Sequence, residues 1–232
     1  MLASVLASST ALSTPAAVTV PQVSLGTLKV SPVGIGTLNL PLDKTEDATT
    51  LGALNAAVAG GVNLIDTAEA YGFGSSEKLT AWAAREGGWG QPDVAFATKF
   101  APVPWREGAE SVVEACRASA ERLGVEQIDL YQIHFPDIIQ PFKAFGLERR
   151  KEEEYWDGLA RCYELGLCSN VGVSNYGPQL VTRVRRSGAL SPGRVRCSLM
   201  HLGAHAVPAP HRDRRTRRSR GAACRSSPTR ST

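Results

Sequence analysis

The chain has 232 residues, enough for one domain of ordinary size, and its 21% charged and 43% hydrophobic content excludes a disordered or fibrous protein. It holds no run of about 18 apolar residues, so the sequence offers no membrane-spanning helix and no membrane partner. The net charge of +4 conceals two regions: residues 191–232 carry ten Arg and one Asp, while residues 1–190 carry 16 basic and 21 acidic side chains, so the body itself is acidic and shows no specific nucleic-acid surface.

Residues 1–22 contain no charged side chain and are dominated by Ser, Ala, Thr and Val. No basic stretch precedes a continuous apolar one, which speaks against a secretory signal. A Ser-rich, acid-free start has the character of a plastid transit peptide; a plain disordered start of a cytoplasmic protein is the other reading. A single domain is expected over 23–200 and an Arg-rich disordered tail over 201–232. Extended runs fall at 24–30, 33–40, 62–68, 94–100, 128–135 and 170–174, with helical spacing between them. A first helix is expected from about 46 to 60, with Asp43 and Glu46 spaced as a capping box. In 109–123, Val112, Val113, Cys116, Ala120 and Leu123 share a face, and Gly124 suits the residue after the helix. Tyr155, Trp156, Leu159 and Tyr163 mark another helix, ended by Gly166. Gly177-Pro178 opens the next, with Leu180, Val181 and Val184 facing inward. The five cysteines, at 116, 162, 168, 197 and 224, form no C-x-x-C pair and are odd in number, which predicts buried or inert thiols in a reducing compartment.

Strands alternating with helices, the strands mostly apolar, imply a parallel sheet covered by helices. A doubly wound open sheet and a (β/α)8 TIM barrel compete. The open dinucleotide-binding sheet needs G-x-G-x-x-G after its first strand. Gly34-Ile35-Gly36 and Gly72-Phe73-Gly74 both lack the third glycine and read as turn glycines. The barrel is favoured because polar residues crowd the strand ends, where barrel active sites sit.

Those ends read Asp66-Thr67-Ala68-Glu69-Ala70-Tyr71, Ala97-Thr98-Lys99-Phe100, Gln132-Ile133-His134 and Gly172-Val173-Ser174-Asn175. Asp66, Lys99 and His134 at successive strand ends, with Tyr71 just past the first, converge on one pocket. A buried Lys99 needs a carboxylate, and Asp66 on the neighbouring strand supplies it. An ammonium beside Tyr71 is expected to lower the phenol pKa and make it a better proton donor. A structural ion pair, a core histidine and a turn tyrosine explain each residue singly, but explain the four in this order poorly.

GVNLIDTAEAYG followed by SSEKL, then FATKF, IDLYQIHFP and NVGVSN, in this order, resemble the aldo/keto reductase family. PVGIGTLNL resembles the family's first barrel strand, and SLGTLKV the hairpin that plugs the barrel base. ATKFAPVPWR, YWDGLARCYELGL and GVSNYGPQ resemble plant and algal plastid members. The resemblance covers about 23–200. It implies a (β/α)8 barrel and NADPH-dependent reduction of small-molecule aldehydes or ketones, pyridoxal-like aldehydes included, without metal. It implies a catalytic tetrad of Asp66, Tyr71, Lys99 and His134, with Tyr71 giving the proton, Lys99 paired with Asp66, and His134 orienting the carbonyl. It places Thr37, Asp66, Ser174 and Asn175 at the nicotinamide end of NADP(H), with Asn175 bonding its carboxamide. Trp105 is expected either to wall the substrate pocket or to pack.

The chain departs from this pattern toward its end. A complete barrel needs eight strand–helix units, typically ~250 residues, and about six strands are visible, so an incomplete barrel is expected. Arg194-Val195-Arg196-Cys197-Ser198-Leu199 stands where the family usually reads Gln-Val-Gln-Tyr-Ser-Leu, which puts Arg194 at the family's nicotinamide-contacting glutamine. Beyond Ser187 there is no Lys, Glu, Asn, Gln, Ile, Phe, Tyr or Trp. The tail reads as a frame-shifted segment, as a disordered basic tail, or as a metal site of Cys197, His201, His205 and His211, in falling order. With the last two units missing, weak or no NADPH binding and negligible turnover are expected of the chain as written, and NADPH-dependent aldehyde reduction once those units are restored. Two functional classes stay open: the reductase, and a catalytically inactive barrel fragment with a regulatory or basic-tail interaction role. The sequence fixes no oligomeric state.

Overall fold

The computed structural model describes residues 20–40, 47–136, 152–187 and 197–198. The expectations for 1–19, Asp43, Glu46, Arg194 and the tail fall outside the described residues.

The predicted strand at 24–30 is a hairpin: β1 (Val23–Leu25) and β2 (Leu28–Val30) pair antiparallel, with Gly26 at φ 62 supplying the turn. Leu25, Leu28 and Val30 pack with Leu64, Ala95, Ala97 and Leu130, so the hairpin closes one end of the sheet's inner face. From there β3 (Ile35–Gly36), α1 (Ala48–Ala59), β4 (Leu64–Asp66), α2 (Ser75–Gly87), β5 (Ala95–Phe100), α3 (Gly108–Leu123), β6 (Leu130–Ile133), α4 (Glu152–Glu164), β7 (Val171–Val173), α5 (Pro178–Ser187) and β8 (Cys197–Ser198) alternate. The strands β3 to β8 are parallel, and their order in the sheet is their order in the chain. A doubly wound sheet reverses its strand order at a switch point. None occurs among the described strands, which decides for the barrel winding.

Every residue of β4, β5, β6 and β7 is buried. Helices cover one face and the barrel interior fills the other, which is why these strands read as apolar runs. They are shorter than the runs, because apolar character continues beyond the last ladder bond: of 33–40 only Ile35 and Gly36 pair, and Leu38 is exposed.

The first helix begins later than the capping-box reading placed it. Asp47 is its cap, with its carboxylate accepting the Thr50 amide at 2.9 Å. α3 ends at Gly124 (φ 68), where a left-handed residue takes up the last carbonyls, and the turn after α4 uses Gly166 (φ 72) in the same conformation. α4 packs on α3 closely because Gly158 has no side chain: a Cβ there would lie 2.6 Å from the Val112 Cβ. Trp156, Tyr155 and Leu159 fill the space behind, fully buried. Cys116, Cys162 and Cys168 are free thiols buried in this layer, and the neighbouring Cys116 thiol first, then burial, push Cys162 above its ordinary range.

Candidate active site

β4 ends at Asp66, β5 carries Lys99 one residue before its end, and His134 follows β6 directly, its amide donating to the Phe100 carbonyl at 2.9 Å. The Lys99 Nζ donates to Asp66 Oδ2 at 2.6 Å and to the Thr67 carbonyl at 2.7 Å. It stands 5.1 Å from the centre of the Tyr71 ring, and that ring meets the His134 ring edge-on at 5.4 Å between centres. The four residues expected to converge are therefore together.

Lys99 is 1% exposed and Asp66 6%. Burial pushes the Asp66 carboxyl up and the Lys99 ammonium down, and each partner pulls the other back toward its charged form. The expected effect on Tyr71 has the opposite sign. Its phenol is raised above the ordinary value near 10, by burial first and by the Asp66 carboxylate second. Asp66 neutralises Lys99 at contact distance, so the phenol sees a pair rather than a lone cation. His134 is pushed down to about 4, by burial and then by the Lys99 charge. It is neutral through the physiological range.

That depression has a consequence for stability. A histidine whose folded pKa lies below its unfolded value near 6.5 adds stability that is complete above pH 6.5 and lost as pH falls through about 4. His134→Gln is therefore expected to flatten the acid limb of the stability profile between those values. Urea unfolding of both proteins at a series of pH values checks this, and parallel limbs would refute it.

Ser174 follows β7, its amide donating to the Ile133 carbonyl at 2.8 Å. Asn175 takes a left-handed φ of 60, which asparagine tolerates better than most residues. Its Nδ2 donates to the His134 carbonyl at 2.8 Å and to Ser174 Oγ at 3.2 Å. These bonds tie the end of β7 to the histidine. Thr37 is fully buried, and its hydroxyl is shared with Ser76 at 2.5 Å, while Ser76 also reaches Thr67 at 3.0 Å. Trp105 is 78% exposed in the loop after β5.

Three further side chains belong to this neighbourhood. Glu69 binds the Arg106 guanidinium with both oxygens and accepts the Ala101 amide at 2.6 Å, bracing the loop that carries Trp105. Gln132, on β6 in register with Lys99, is fully buried and offers its Nε2 to Asp66 Oδ1 at 3.5 Å. Among the described residues its Oε1 has no partner, and neither has the buried Nδ1 of His134. Glu77 is buried in α2 and bound to Thr98 and Arg122. The sequence carries a signal for Gln132, a polar residue inside an apolar strand. Nothing in the spacing links Glu69 to Arg106, or Glu77 to Arg122.

The unpartnered Gln132 Oε1 and His134 Nδ1 leave an acceptor and a ring nitrogen that a polar ligand such as a carboxamide could pair with. Partners for the phosphates of a dinucleotide are not assigned to any described residue.

Parallel strands in barrel order thus bring a Lys–Asp pair, a tyrosine and a histidine together at their carboxyl ends. The model of the aldo/keto reductase family matches residues 32–206, and the chain belongs to that family. It is 36% identical over 200 residues to the chloroplastic pyridoxal reductase of Arabidopsis thaliana, covering 78% of this chain and 53% of that protein. It is 33% identical over 160 residues to the aldo-keto reductase YhdN of Bacillus subtilis, covering 64% and 44%. The chain thus spans about half the length of the curated relatives it matches. An aldo/keto reductase of Klebsiella pneumoniae, solved with NADP and acetate, aligns with a TM-score of 0.56 at 25% identity, over 72% of this chain and 54% of that one. The holo form of the Bacillus halodurans aldo-keto reductase AKR11C1 shares the fold, with a TM-score of 0.60 at 24% identity over 79% and 57%. Among the described residues no helix is long and apolar enough to cross a membrane.

Proposed function

We propose that this chain reduces aldehydes and ketones to alcohols with NADPH, and that Tyr71 is the proton donor. The observation that carries the reading is the contact of the Tyr71 ring with His134 at 5.4 Å, backed by the Lys99–Asp66 pair. When bound, the reduced nicotinamide supplies a hydride to the carbonyl carbon. The chain's own residues do the rest. Ser174 and Asn175 hold the carboxamide. Neutral His134 turns the carbonyl oxygen toward Tyr71 by a hydrogen bond. The phenol gives its proton to that oxygen as the alkoxide develops, and solvent returns one to the phenolate. A raised phenol pKa keeps Tyr71 protonated at neutral pH, and an alkoxide is basic enough to take the proton nonetheless. Lys99, neutralised by Asp66, fixes the ring from behind, and Trp105 stands where it can wall a substrate.

The Klebsiella pneumoniae structure holding NADP supports the cofactor, and the Arabidopsis thaliana relative named for pyridoxal supports aldehydes of that kind and a plastid address. Titrating the purified chain with NADPH by fluorescence, then following NADPH loss with pyridoxal and with simple aldehydes, is the test. Aldehyde-dependent consumption would bear out the reductase reading and overturn the expectation of negligible turnover. A chain that neither binds NADPH nor consumes it with any aldehyde would instead be the inactive barrel fragment.

A further inference from the structure

The turn that carries Tyr71 is strained and open to solvent. Residues Tyr71–Gly74 form a short 3-10 turn in which Phe73 has φ 53 and Gly74 φ 88, and Phe73 is fully exposed. A non-glycine residue in the left-handed region is strained and persists only where its surroundings enforce it. The enforcement comes from behind. The Arg122 side chain of α3 lies so close to Gly74 that a Cβ there would be 2.6 Å from its Cδ and Nε. Arg122 is held in that place by Glu77, which accepts its Nε at 2.5 Å, and by Ser119, which accepts its Nη2 at 3.0 Å. Glu77 is 0% exposed, and its other oxygen accepts the Thr98 hydroxyl at 2.6 Å. Thr98 immediately precedes Lys99 on β5. One buried carboxylate therefore joins the Tyr71 turn, through Arg122, to the strand of Lys99, through Thr98.

We propose that Glu77 is a positioning residue for Tyr71: with Arg122 as its arm it clamps the 71–74 turn against β5 and so fixes the phenol beside Lys99 and His134. This gives the proposed reductase site a support on the outer side of the sheet, made of residues that touch neither substrate nor cofactor. It rests on that reading for its purpose, but not for its test.

An ion pair that only stabilises the fold would leave the phenol's surroundings unchanged when cut; a clamp would not. Tyr71 faces Asp66, Lys99 and His134, and burial holds its phenol above the ordinary value. The experiment is a spectrophotometric tyrosine titration of the full chain, with Tyr71→Phe identifying the Tyr71 step by difference. In Glu77→Gln the Thr98 bond can persist while the charge holding Arg122 is gone. The turn then loosens, the phenol hydrates, and the Tyr71 step moves down toward about 10. Arg122→Met should move it in the same direction, and Arg122→Lys, which keeps the charge and most of the stem, should restore it. Val184→Ala on α5, a core truncation that makes none of these contacts, should leave the step in place at comparable loss of stability. If Glu77→Gln does not fold, Arg122→Met at its partly exposed site carries the same test. An unmoved Tyr71 step in a folded clamp variant overturns the proposal. The titration needs no cofactor and no substrate, so a chain that never reduces an aldehyde still answers it, and failure of the reductase reading remains separately visible.

Discussion

With the missing strand–helix units restored, Tyr71→Phe is expected to lower aldehyde reduction by roughly 10²–10⁴-fold, the worth of positioned proton transfer. The substitution removes one oxygen and leaves the ring, so the edge-on contact with His134 and the approach of the Lys99 ammonium to the ring face persist. NADPH affinity should barely change, because Ser174 and Asn175 lie on the opposite side of His134 from the phenol's own turn, at the end of a different strand. The pH dependence should also discriminate. In the parent chain the rate should stay level until the phenol begins to ionise above about 10, and in the variant that alkaline fall should vanish with the donor. A residual rate within a few-fold of the parent would remove Tyr71 from the chemistry. Initial rates against pH at saturating NADPH provide the measurement.

The second large effect concerns stability. Lys99→Met leaves Asp66 buried with only the long bond from Gln132, and breaking one side of a buried ion pair costs about 3–5 kcal/mol. The sign of its pH dependence follows from Asp66. A carboxyl whose folded pKa is raised contributes stability that is full below its unfolded value near 3.9 and is lost as pH rises through the folded value. Without Lys99 that folded value climbs further, so the deficit of the variant should be largest near neutral pH and shrink on acidification. Asp66→Asn added to Lys99→Met should recover most of the loss by removing the stranded charge. Urea unfolding of the single and double variants near pH 7 and near pH 4 tests both statements. A deficit that grows with acid would show that Asp66 is not the group left unpaired.

Much of this site was legible along the chain because parallel strands buried on both faces tolerate few polar residues. Asp66, Lys99 and His134 therefore stood out where three such runs ended. Lateral supports were not legible. Glu69 and Arg106, or Glu77 and Arg122, are joined by hydrogen bonds between separate elements, and charged residues on helices and loops are too common for any pair to declare itself. The direction of the Tyr71 shift was missed for a related reason. Sequence order placed Lys99 near the phenol, but only coordinates show Asp66 cancelling that charge while adding its own. The start of α1 moved to Asp47 because cap choice depends on which carboxylate meets an amide, and several acids compete at 43–47.

The hairpin at the closed end of the sheet is held by a reciprocal pair of bonds. Asn170, at the start of β7, accepts the Thr27 amide at 2.9 Å and returns its own Nδ2 to the Thr27 hydroxyl at 2.9 Å. The two residues are separated by 143 positions. During synthesis Thr27 leaves the ribosome long before Asn170 does, so the hairpin must wait, unlatched, while four strands assemble beside it. Contacts of such long range slow folding, because the loop must close before the contact contributes. The latch at the base can therefore shut only after β6 has formed and Asn170 has emerged, whatever the strength of its individual bonds.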